Sequence, residues 1–190
     1  NNYEWISFNF GPTLISWIED NVPEVYARIL EADRASAERL SGHGNAIAQC
    51  YNHAIMPLAS RRDQETQIRW GIHDFERRFG RASEGIWLPE TAINAATLEL
   101  LVEFAFRFIV LSPHQALRVR SLDDASQWKD VSKGTIPTGF PYRCFAPGAS
   151  TSSWCCAVKQ SASDGIAPPS GCVRWNACLG DTVEPPLGNR

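Results

Sequence analysis

Gly85-Ile86-Trp87-Leu88-Pro89-Glu90-Thr91-Ala92, with Phe108-Ile109-Val110-Leu111-Ser112-Pro113-His114 downstream, decides the fold. Gly85–Leu88 reads as a strand, which Pro89 ends because proline cannot extend the ladder. Asn94 suits the N-cap of a helix whose Leu98, Leu101, Val102 and Ala105 share one face. Phe108–Leu111 is a continuous apolar run, the pattern of a parallel strand covered on both faces. Ser112-Pro113-His114 stops it. The order strand, helix, strand is that of a parallel sheet.

The same alternation extends upstream. Asp63–Phe79 carries Ile68, Ile72, Phe75 and Phe79 at helical spacing, and Gly80 closes it. Arg61, Arg62, Arg69, Arg77 and Arg78 mark its wet side. Ala46–Tyr51 reads as a short buried strand, and His53–Leu58 as the turn behind it. Pro23 opens a helix running to Leu40, with Tyr26, Ile29, Leu30 and Ala37 on one side. Leu14, Ile15, Trp17 and Ile18 fit a short buried helix behind Gly11-Pro12. Trp5–Phe10 alternates like a strand. Strands and helices thus alternate from Tyr3 to Leu111, which argues for a parallel sheet or a barrel. The pattern by itself does not choose between open and closed. After about Arg143, Ser, Thr, Cys, Gly and Pro dominate and no periodicity persists, so residues 146–190 are expected to be poorly ordered, behind an α/β part spanning 1–145.

With a net charge of −3 and basic residues dispersed among acids, the chain offers no nucleic-acid or membrane-surface partner. No apolar run is long enough to span a bilayer. Asn1-Asn2-Tyr3-Glu4 has no Met, basic n-region or apolar core, so the chain is expected to start inside a longer reading frame and to act in the cytoplasm. Cys50 stands apart from Cys144, Cys155, Cys156, Cys172 and Cys178. Their spacings fit neither a zinc site nor a clear disulfide framework, and no metal or cofactor is expected.

In parallel α/β folds the reacting groups sit in loops after the strands. Glu90, His53 and His114 all occupy such places. Pro89 fixes its own φ and restricts Leu88, which aims the Glu90 carboxylate, with Trp87 as an apolar wall. An acid near a helix start also serves the helix dipole, so catalyst and helix-end acid both stand as readings of Glu90. His53 beside Asn52, and His114 beside Gln115, suit either substrate hydroxyls or satisfied structural roles. His43 lies between glycines in a loop. His73 reads as a surface residue, Trp70 as core, and Asp123-Asp124 as a solvated pair.

Taken together, Gly85–Ala92, Phe108–Ala116 and the upstream Tyr51-Asn52-His53-Ala54-Ile55-Met56-Pro57-Leu58 resemble glycoside hydrolase family 57 over residues 3 to 145. The resemblance implies a partial (β/α)7-type barrel acting on an α-glucan or oligosaccharide by hydrolysis or transfer, with retention and no metal. It implies that Glu90 is the nucleophile, and that His53, Trp87 and His114 lie in the sugar site. A retaining enzyme needs a second carboxyl roughly 5 Å away. The family's histidine motif of the first strand and its acid/base Asp fall outside the matched blocks. Asp123, Asp124 and Asp130 are misplaced for that role, so little turnover is expected. Pro141-Tyr142-Arg143-Cys144-Phe145 still resembles the family, whereas the residues after Phe145 resemble translation in a shifted frame. Two other classes compete: a metal-dependent polysaccharide deacetylase-like barrel, and a non-catalytic carbohydrate-binding remnant.

Overall fold

The computed structural model describes residues 1–121, 127–138 and 141–144 in full, and the backbone alone of 145, 153–158 and 175–179. Asp123-Asp124 and most of the stretch expected to be poorly ordered lie outside the described residues. The chain divides into two compact units, Asn1–Ile55 with Ala59–Pro89, and Met56–Leu58 with Glu90–Arg190. Among the described residues no helix is long and apolar enough to cross a membrane.

The first unit is built from helices α1 (Pro12–Asn21), α2 (Pro23–Arg39) and α3 (Arg61–Phe79) and strands β1 (Ala48–Gln49) and β2 (Gly85–Trp87). Its pairings are parallel: Ala48 lies opposite Ile86, Gln49 opposite Trp87, and Phe8 bridges Ala46. Trp5–Phe10 is therefore one bridge rather than the expected strand. Trp5 and Ile6 are exposed, and the Arg39 guanidinium lies over the Trp5 ring at 4.3 Å in place of a pairing strand. In α1 only Ile15 and Ile18 of the four expected core residues are buried, while Leu14 and Trp17 face solvent.

Helix α3 begins at Ser60, whose hydroxyl accepts from the Asp63 N–H at 3.2 Å, and ends at Gly80 with φ 67°. Those caps satisfy backbone groups that the helix itself cannot pair. Its buried stripe is Gln64, Ile68, Gly71, Phe75 and Arg78. Arg78, expected on the wet side, is enclosed because Asp74 (3.0 Å), Glu19 (2.6 Å) and the Ser16 hydroxyl (2.8 Å) accept its N–H groups. A buried guanidinium is tolerated only with such partners.

Gly71 brings α3 directly onto β1. A Cβ there would lie well inside 3.0 Å of the Gln49 carbonyl oxygen, which is backbone and cannot swing away. Gly71→Ala normally gains about 1 kcal/mol of helix propensity. Here overpacking dominates, and a net loss of about 2 kcal/mol or more is expected in urea unfolding. A gain in stability would show that α3 and β1 are not in this contact.

Cys50 follows β1 and is a buried free thiol. Burial pushes its pKa up from 9.0 to about 12. Between those values the unfolded chain ionises first, so stability supplied by the neutral thiol falls as pH rises through that window. In the folded protein at neutral pH, Cys50 is expected to resist iodoacetamide and to react once urea is added, as peptide mass mapping would show.

Asp33 on α2 is a second enclosed charge. It is 3% exposed. Its carboxylate accepts from Arg81 Nε at 2.9 Å, from Arg81 Nη2 at 2.7 Å and from the Ala46 N–H at 2.8 Å.

The second unit contains α4 (Ala95–Glu103) and strands β3 (Phe108–Leu111), β4 (Ala116–Ser121), β5 (Lys129–Asp130), β6 (Pro141–Phe145), β7 (Ser153–Val158) and β8 (Trp175–Leu179). Asn94 caps α4 as predicted, accepting from the Thr97 N–H at 2.9 Å. The helix stops two residues before Ala105, which turns left-handed at φ 58° while Phe106 N–H returns to Leu101 C=O at 3.3 Å. That return bond is the closure typical of helix ends, made here without glycine. β3 pairs in parallel with β7, and β6 in parallel with β8. β6–β7, β4–β8 and β4–β5 are antiparallel. This unit is thus mixed rather than purely parallel. Its core includes Ile93, Leu98, Leu101, Ile109, Leu111, Val119, Val131 and Tyr142. Cys144 is disulfide-bonded, which its spacing from the other cysteines had not suggested.

Candidate functional site

In the first unit, the β1–β2 register sets Gln49 beside Trp87 at the carboxyl ends of both strands. Trp87 is half-buried. Asn9 donates its side-chain amide to Gln49 Oε1. Asn9 and Gln49 therefore share that strand end, although neither was singled out from sequence. Their signal was a polar residue in each apolar segment, which alternation explains equally well. His53 is exposed, on a loop fastened to α3 through Gln67. The Tyr51 N–H donates to the Gln67 carbonyl at 3.1 Å and the Asn52 N–H to Gln67 Oε1 at 2.6 Å. Trp70, expected in the core, is exposed and meets Tyr51 edge-on at 5.5 Å. His43 pairs with Glu84 at 2.7 Å, and His73 is exposed as expected. A cavity of about 20 Å³ beside Gln49, Gly71, Phe75 and Arg78 has room for one water, not a hexose.

In the second unit Glu90 begins where the first ends. It is exposed, and its backbone is left-handed at φ 53°, ψ 17°. Thr91 follows at φ 54°. Left-handed backbone costs an L-residue about 1–2 kcal/mol, and it is rarest for β-branched residues such as Thr. Two in succession persist only where the surroundings hold them. One such hold is Gln115, buried at 7% exposure. Its Oε1 accepts from the Ser112 N–H at 2.7 Å, and its Nε2 donates to the Thr91 carbonyl at 2.5 Å. Glu90 lies outside α4, whose first turn holds no acid and whose end is capped by Asn94.

His114 is the middle residue of the 3-10 turn Pro113–Gln115 and is exposed. Its ring lies over Gly134, where φ is 71°; a Cβ at that position would fall 2.5 Å from the imidazole Cε1. Gln115 thus joins the turn that bears Glu90 to the turn that bears His114. Among the described residues no group of three or more His, Cys, Asp or Glu converges as a metal site.

Strands followed by helices, with Glu90 and His114 on turns after strands, make this an α/β fold. Residues 2–133 match the profile of glycosyl hydrolase family 57, and the chain belongs to that family. Among solved structures it is similar to a 4-alpha-glucanotransferase from Thermococcus litoralis, at 18% identity and TM-score 0.56. It is similar also to an exo-type maltose-forming amylase from Pyrococcus sp. ST04, at 18% identity and TM-score 0.55. A branching enzyme from Pyrococcus horikoshii matches at 19% identity and TM-score 0.51. These alignments cover 84%, 81% and 80% of this chain but only 22%, 22% and 26% of those chains. At such identities the likeness shows the fold: mixed helix and strand with a parallel sheet, as in the family's barrel enzymes. No curated protein matches the chain.

Proposed function

We propose that this chain is part of a retaining glycoside hydrolase or glucanotransferase acting on α-glucan or oligosaccharide. In it Glu90 is the nucleophile, and His53, Trp87 and His114 contribute to the sugar site. The observation that carries the proposal is the Glu90 turn. An exposed carboxylate sits on two successive left-handed residues, directly after β2, while Asn94 takes the helix-capping role that would otherwise explain an acid there. Family membership supplies the reaction class, and the fold similarity to a glucanotransferase, an amylase and a branching enzyme supports an α-glucan substrate.

On this reading a Glu90 carboxylate oxygen attacks the anomeric carbon. The bond to the leaving oxygen breaks as a second carboxyl group protonates it, and a glycosyl ester remains. The family's acid/base Asp lies outside the blocks matched here, so Glu90 is expected to react with donors whose leaving group needs no proton, with little turnover of glucan. The division into 1–145 and 146–190, with the second part read in a shifted frame, stays a proposal alongside it. Action in the cytoplasm without a nucleic-acid partner is an expectation of the sequence alone.

α-Maltosyl fluoride tests the nucleophile in isolation. Fluoride leaves with the bonding electron pair and needs no proton from the protein, so C1–F breaks as the Glu90 ester forms. Fluoride release with a maltosyl adduct on the Glu90 peptide is the expected result. Release without an adduct, or an adduct on another residue, would remove Glu90 from the role.

A further inference from the structure

We infer that Gln115 is a positioning residue that holds the Glu90 carboxylate in its attacking orientation, by pinning the left-handed Glu90-Thr91 turn to the loop after β3. The inference rests on Glu90 being the nucleophile. It goes beyond that role by assigning a function to a residue that touches no substrate.

A 3-10 turn starting after Ser112 needs an acceptor for the Ser112 N–H, and Gln115 Oε1 provides one at 2.7 Å. A glutamate at 115 would serve that purpose equally well. The other half of the amide is not needed by the turn. Nε2 reaches across to the carbonyl of Thr91 at 2.5 Å, a bond that an ionised glutamate could not donate. Burial of Gln115 adds weight, because a buried amide stays only where both ends are satisfied.

The acceptor is also telling. Thr91 is the second of the two left-handed residues, and β-branching makes it the one that most resists that conformation. Rotating Thr91 back to negative φ swings its carbonyl off Nε2. The bond therefore opposes the relaxation that would redirect Glu90. Since His114 immediately precedes Gln115, the same side chain fixes how the two turns face each other. Geometry of this kind governs rate, because a reacting carboxylate must be held within about 0.5 Å of its productive place.

Gln115→Glu separates the two halves of the clamp, keeping the acceptor for Ser112 and losing the donor to Thr91. With α-maltosyl fluoride, the maximal rate of labelling is expected to fall by about 10- to 100-fold, while the half-saturating donor concentration holds. One-bond Cα–Hα couplings, which sense the sign of φ, are expected to change at Glu90 and Thr91 and to stay unchanged along α4. Adding Thr91→Gly, which accepts positive φ freely, is expected to recover part of the lost rate. Unchanged couplings along α4 show that Gln115→Glu has folded, so a slow rate there is not loss of the fold. Labelling of Gln115→Glu at the wild-type rate, or couplings unaltered at Glu90 and Thr91, would overturn the inference. A slower rate with no recovery in the double variant would reduce Gln115 to a structural residue and overturn it as well. If the wild-type chain takes no label, the nucleophile reading fails, and the positioning role falls with it.

Discussion

Glu90→Gln is expected to leave the chain folded and to slow fluoride release from α-maltosyl fluoride on the order of 10⁴-fold, as loss of a covalent nucleophile does elsewhere. The fold is expected to survive because Glu90 is exposed and Gln has nearly the same shape. Surface substitutions of that kind usually move stability by less than about 0.5 kcal/mol. The informative companion variant is Glu90→Gly. At φ 53° a glycine relieves left-handed strain that alanine would retain. It also leaves a space the size of the carboxylate. Added azide can then enter that space and attack the anomeric carbon from the same side, with fluoride leaving, to give the β-maltosyl azide. Recovery of fluoride release by azide in Glu90→Gly, and not in wild type, is the expected pattern. Full activity in Glu90→Gln would end the nucleophile assignment, since an amide cannot form the glycosyl ester.

Asp33→Ala is expected to cost about 3–5 kcal/mol, the range for removing one partner of a buried, hydrogen-bonded ion pair. Three donors lose their acceptor at once: Arg81 Nε, Arg81 Nη2 and the Ala46 N–H. Arg81 is partly shielded and also donates to the Ala46 carbonyl at 2.8 Å, so it cannot swing into water without breaking a second contact. Ala46 is the residue that bridges Phe8, so the change strikes the strand pairing just after Gly44. Gly44 shows how tightly that corner is filled, because a Cβ there would collide with both Arg81 and Asp33. Asp33→Asn should cost less, since one oxygen can still accept from Ala46. The double change Asp33→Ala with Arg81→Ala should cost less than the sum of the single changes, because the stranded cation is gone. Urea unfolding measures all of these. A loss below about 1 kcal/mol for Asp33→Ala would place the pair among ordinary surface ion pairs.

Helix α3 and the α4 cap were legible because their signals are local: an apolar period closed by Gly80 in α3, and Asn94 before α4. The buried acid Asp33 and buried Arg78 were not, because each reads as a wet residue until its partner arrives from 48 or 59 positions away in the chain. Trp5–Phe10 failed as a strand for the complementary reason. Alternation states which side chains could face a core, and only a neighbouring backbone makes a ladder. Gln115 was visible merely as a neighbour of His114. Nothing in the order of residues says that its amide meets Thr91, 24 residues earlier.

Sequence alone determined the α/β order, the family and the loop positions of Glu90, His53 and His114, because periodicity, caps and strand-end blocks are written over short spans. The tertiary structure decided the rest. It turned the second unit mixed, enclosed Asp33 and Arg78, and held Glu90 and Thr91 left-handed. Each of these depends on a hydrogen-bond partner far away in the chain, and a buried polar group or a strained turn persists only where such a partner is present.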